Sequence, residues 1–132
     1  MSDTNEARSD ADTIVVDLGP STHLRDGDTE AHKAGIFDVM LCRAGGKLWA
    51  LEDLCSHADT TLSDGMLTGY AISCPLHGAQ FDVRDGHHMS PPAYCGVLAF
   101  SVDEVDGRAV VVVPTTRPKG DGGAMPGYFQ TR

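Results

Sequence analysis

No stretch of this 132-residue chain stays apolar for the ~18–20 residues that a membrane-spanning helix needs, so no membrane role is expected. The N-terminus, MSDTNEARSDADT, has no basic start and no apolar segment. It is not read as a secretion signal, and a cytoplasmic protein with reduced thiols is expected. Positive charge is scarce: ten basic residues face nineteen acidic ones, for a net charge of −9. The deficit sits in the body, where residues 12–113 carry six basic and fifteen acidic groups, while residues 114–132 come to +2. An acidic body argues against nucleic acid, whose phosphates would repel it. It suits long-range steering towards basic partner surfaces, and equally a chain that its charge keeps soluble. Nothing over ten residues shows a helical period, no solenoid repeat is present, and no glycine fingerprint for NAD or FAD occurs.

What remains is short, β-branched and punctuated by glycine. The length sets a prior of one domain, long enough to bury a core without disulfides. TIVVDL (13–18) reads as a strand. IFDVMLC (36–42) and KLWALED (47–53), joined through AGG, read as a hairpin, and VLAFSVDE (97–104) with RAVVVV (108–113) reads as a second. Such strands predict an all-β antiparallel sandwich or barrel. Residues 1–11 are expected to be a disordered arm, 12–113 the domain, and 114–132, rich in Pro and Gly, a flexible tail. The segment of about 54–95 differs from its flanks. It is rich in turns and reads as a loop-built site mounted on the β scaffold.

That segment carries two matched pairs: Cys55 with His57, then, after sixteen residues, Cys74 with His77. Thiols and imidazoles at such spacing suggest a metal. A tetrahedral zinc site with two Cys and two His is one reading, although the commonest zinc finger places its cysteines first and its histidines second. Ordinary buried cysteines and histidines are another. The third is a two-iron, two-sulfide cluster in which one iron has two thiolates and the other two imidazoles. Mixed pairs suit it best, because each loop can give a sulfur to one iron and a nitrogen to the other.

The run ALEDLCSHADTTLSDGMLTGYAISCPLHGAQFDVRDG, with C-x-H followed by C-P-x-H-G, resembles the small Rieske-type ferredoxins of bacterial ring-hydroxylating dioxygenases. The following SPPA and the closing hairpin are similar too, so the resemblance spans about 13–113. It implies an antiparallel β-sandwich with an inserted cluster-binding subdomain and one Rieske 2Fe-2S cluster. Cys55 and Cys74 would hold the inner iron, and His57 and His77 the outer iron near the surface. Pro91 and Pro92 would form a rigid wall over the cluster. The resemblance further implies a monomer that takes electrons from a flavin-dependent NAD(P)H reductase and passes them to a terminal Rieske oxygenase, with no substrate chemistry of its own. High-potential members of the wider family carry an extra disulfide and two hydroxyl donors to the cluster; here those positions are Thr60 and Leu76, and Ala79 and Phe81. Without those donors the extra negative charge of the reduced state is less stabilised, and a potential of about −150 mV rather than +300 mV is expected. A Rieske-like small subunit of a nitrite reductase and a structural zinc module are the alternatives.

Other residues invite a role. His87 and His88 read as exposed loop residues. Cys42 reads as a small core residue, Cys95 as a partly exposed thiol near the proline loop, and Trp49 as packing. His23 and His32 lie in loop-like sequence far from any pattern for a mononuclear iron.

Overall fold

The computed structural model describes residues 12–55, 60–76, 78–90 and 96–118. The termini, the Cys95 thiol and the proline wall expected at Pro91 and Pro92 lie outside these residues.

Among the described residues ten strands form two antiparallel sheets. The larger is built from β1 (Thr13–Pro20), β2 (Thr29–Ala34), β3 (Phe37–Ala44), β4 (Lys47–Glu52), β9 (Ala99–Val105) and β10 (Arg108–Pro114), in the order β1-β10-β9-β4-β3-β2. The smaller is inserted between β4 and β9 and holds β5 (Met66–Thr68), β6 (Ala71–Ser73), β7 (Gln80–Asp82) and β8 (His88–Ser90), in sequence order. Among the described residues no helix is long and apolar enough to cross a membrane.

β3 explains how the halves join. Its run VMLC is apolar on both sides, as expected of a strand covered on both faces. Phe37 and Val39 pack with Ala50, Phe100, Val111 and Val113 inside the larger sheet's own core. Met40, Cys42 and Ala44 point the other way and pack with Leu51 of β4 and with Ile72 and Phe81 of the inserted unit. Cys42 is thus a core residue, and its burial pushes the thiol up to about 12. Trp49 packs on the same side, as expected, with its indole N–H donating to the Ala44 carbonyl at 2.9 Å and its ring edge-on to Tyr70.

Three details go beyond the sequence expectation. The inserted unit is more than loops, because a four-stranded sheet carries them. His32 lies in β2, where its Nε2 and that of His23 both bond the Glu30 carboxylate, so His32 is a strand residue rather than a loop residue. The chain also follows the body past residue 114. The Thr115 N–H donates to the Asp12 carbonyl at 2.7 Å, and Arg117 pairs with Glu52.

Candidate metal centre

The two cysteines arrive from different elements. Cys55 follows β4 after a sharp turn in which the Leu54 N–H reaches back to the Glu52 carbonyl. Cys74 directly follows β6. Each begins a loop closed in the same manner: the Cys55 N–H donates to the Thr60 carbonyl at 2.9 Å, and the Cys74 N–H to the Ala79 carbonyl at 2.7 Å. Both bonds span five residues. The backbone therefore repeats the pairing that the sequence shows, one clamp per loop.

The loops are braced from behind. Asp53, a buried carboxylate, accepts from the Ser63 N–H at 2.7 Å and the Ser63 hydroxyl at 2.6 Å. This fixes the short 3-10 turn Leu62–Asp64 against the first loop. The Ser63 carbonyl accepts from the Thr29 hydroxyl of β2 at 3.0 Å, and the Asp53 N–H donates to the Asp38 carbonyl at 2.8 Å. A chain of hydrogen bonds thus runs from β2 to β3 through the residue two before Cys55. Behind the second loop, a Cβ on Gly65 would stand 1.9 Å from the Ser73 carbonyl oxygen, so only glycine permits that approach.

Cys55 and Cys74 are each 3% exposed and lie in the same buried core, the Cys55 thiol close enough to act on that of Cys74. Burial, then the Cys55 neighbour, pushes the Cys74 thiol above its ordinary value, while the Leu76 N–H opposes this. Two buried thiols side by side are poorly solvated as free groups, and they suit a metal that deprotonates both. Ala79 and Phe81, the positions without hydroxyls, are wholly buried in the same core as the cysteines. The surroundings of the sulfurs therefore gain no O–H from either.

Of the four sequence-predicted site residues, Cys55 and Cys74 are buried in one core cluster. His57 and His77 lie outside the described residues. His87 and His88 are half-buried rather than exposed, with ring centroids 5.0 Å apart. The reason is pairing: His88 opens β8 opposite Phe81, at the end of the buried cross-strand row of Leu67, Ile72 and Phe81. Asp53 carries no local sequence signal for its role beyond being an acid beside a ligand.

Residues 14–101 match the Rieske 2Fe-2S domain. The chain belongs to the Rieske 2Fe-2S family. The ferredoxin component of biphenyl 2,3-dioxygenase from Rhodococcus jostii (strain RHA1) is 38% identical over 96 residues, which cover 73% of this chain and 83% of that one. The ferredoxin of carbazole 1,9a-dioxygenase from Nocardioides aromaticivorans IC177 superposes with a TM-score of 0.70 at 31% identity, covering 74% of this chain and 95% of that one. A complex of reduced oxygenase and oxidized ferredoxin in carbazole 1,9a-dioxygenase contains a chain similar at 27% identity and a TM-score of 0.71, with 81% of this chain and 98% of that one covered. One Rieske-type 2Fe-2S cluster is the cofactor, and the adjacent Cys55 and Cys74 thiols fit two ligands of one iron. The zinc reading is set aside.

Proposed function

We propose that this Rieske protein is the ferredoxin of a ring-hydroxylating oxygenase system. It accepts single electrons from a flavin-dependent NAD(P)H reductase and passes them to a terminal Rieske oxygenase. The cluster supplies the chemistry, taking up and releasing one electron at a time. Cys55 and Cys74 hold one iron, His57 and His77 the other, and Pro91 and Pro92 cover one side. The protein works as a cytoplasmic monomer.

The observation that carries the reading is how fully small ferredoxins are accounted for by this fold, to 83% and 95% of their own lengths. These relatives are electron carriers, not oxygenases. The chain's own residues then do three things. The two backbone clamps and the Asp53–Ser63 bonds anchor the ends of the ligand loops. The apolar core around Cys55 and Cys74 keeps water from the sulfurs. Ala79 and Phe81 withhold hydrogen bonds that would favour the reduced state, so the potential stays low enough for the reduced protein to pass its electron onward.

The test is the midpoint potential of the anaerobically purified protein and of its Ala79→Ser and Phe81→Tyr variants. The parent is expected near −150 mV, and each variant above it. A parent hundreds of millivolts higher would overturn this reading.

A further inference from the structure

The cation that meets Glu52 comes from beyond the matched residues 14–101. After β10, Thr115 ties the chain to the Asp12 carbonyl through both its N–H and its hydroxyl, at 2.7 and 3.1 Å. Two residues later the Arg117 guanidinium forks onto the Glu52 carboxylate. Nη1 donates to Oε1 at 3.2 Å, and Nη2 donates to Oε2. The same guanidinium lies 5.3 Å from the centroid of the Phe37 ring. The Glu52 side chain is 11% exposed and that of Arg117 is 57% exposed. A carboxylate embedded at the end of β4 is therefore compensated from outside, by a strap.

Glu52 is no ordinary neighbour of the site. It is the last residue of β4, its N–H donates to the Leu98 carbonyl at 2.8 Å, and its carbonyl accepts from Leu54. Cys55 follows three residues later, at most about 11 Å away along the chain. Over that distance, beside a largely dry core, a charge is only partly screened.

We infer that Arg117 is a positioning residue for the redox centre: it neutralises Glu52 and fixes the end of β4 from which the first ligand loop departs. The inference rests on the cluster reading of Cys55 and Cys74. It makes a claim with a sign. Arg117→Gln leaves a buried carboxylate uncompensated, so adding an electron nearby becomes harder and the potential falls. Glu52→Gln removes a negative charge near the site and keeps the cation, and the potential rises. The double variant returns close to the parent. A strap that only stiffened the loop would not produce opposite shifts that cancel.

The second readout is retention of the cluster. Removing the cation leaves the embedded Glu52 carboxylate without its counter-charge, whereas removing both groups does not. Arg117→Gln should therefore lose iron to a chelator several-fold faster than the parent, and the double variant more slowly than Arg117→Gln. Arg117→Lys keeps the charge but not the fork, and should hold the parent's potential with only part of its retention.

The experiment uses the full-length, iron-loaded protein, with voltammetry for the potential and a ferrous chelator for iron release. Opposite shifts that cancel, together with faster iron loss from Arg117→Gln, are expected. Single variants that shift the same way or not at all, or an Arg117→Gln protein that loses iron at the parent's rate, would overturn the inference alone. A parent protein that holds no 2Fe-2S cluster would overturn the functional reading and this inference with it.

Discussion

The strands of the larger sheet are six to eight residues long, whereas the four strands of the inserted sheet have three each. Strand pairs as short as these bury too little to persist by themselves. The larger sheet closes a core of its own, with Phe37, Phe100, Val111 and Val113 at its centre. The core of the inserted unit is borrowed, since Met40, Cys42 and Leu51 belong to β3 and β4. Point contacts also hold it, among them the two loop clamps, the Asp53–Ser63 and Thr29–Ser63 bonds and the Val97 N–H donating to the Gly86 carbonyl. One half is therefore stable by area. The other is stable by attachment, and its metal should count as folding energy.

The largest expected effect breaks the comparison at the metal. Cys74→Ser removes one of the two buried sulfurs and with it the cluster. Amide hydrogen exchange should then accelerate across residues 66–90 while β3, β4 and β10 keep most of their protection. Uniform loss of protection over both sheets would show that the halves fold as one unit. Unchanged protection in the small sheet would show that its point contacts suffice without metal.

The same contrast decides what could be read beforehand. β1, β3, β4, β9 and β10 announce themselves by short apolar runs, β-branched in β1 and β10, and by glycine turns, because each is long enough for a pattern and packs on its own neighbours. β2, TEAHKA, has no such signal: as an edge strand it pairs with β3 alone and faces solvent along much of its length. β5 to β8 are too short for alternation to register, and only packing on β3 and β4, distant in sequence, makes them strands. The cysteines are legible because ligand type and spacing are local. The grip of Asp53 on Ser63 reaches across ten residues and that of Arg117 on Glu52 across 65, and neither leaves a local pattern. His87 and His88 mislead for a similar reason, as the pairing of His88 with Phe81 draws a loop-like sequence inward.

A smaller effect sharpens the comparison through glycine. Gly46 turns β3 into β4 at φ +81 with nothing within 4 Å of a built Cβ, so its need for glycine is conformational alone. Gly65 has an ordinary φ of −87, but its Cβ would strike the Ser73 carbonyl directly before Cys74. Gly46→Ala should cost about 1 kcal/mol and leave cluster content unchanged. Gly65→Ala should cost about 1–3 kcal/mol, since rigid backbone must shift, and it should lower iron content as well. Denaturant midpoints with iron assays on both variants check this. Equal iron contents would mean that the small sheet tolerates displacement as well as the large one does.

The smallest effect is electrostatic and belongs to the larger sheet. Arg43 donates to Glu104 at 2.7 Å and to the Leu24 and Ser21 carbonyls at 2.7 and 3.0 Å, and the Ser21 hydroxyl donates to Glu104 at 2.6 Å. Arg43 first, then Ser21, hold the Glu104 carboxyl at about 2, below its ordinary 4.5. The folded state thus binds this proton less readily than the unfolded chain, so the pair's contribution is complete above pH 4.5 and is lost as pH falls through about 2. Glu104→Gln lacks this contribution altogether. The gap between the urea midpoints of parent and variant should be constant from pH 7 to about 4.5 and then narrow progressively towards pH 3. Because the group is exposed, the gap should be small and should shrink further in added salt. A gap that persists undiminished at pH 3 would mean that Glu104 acts through packing. The larger sheet would then owe its stability to area at this end too.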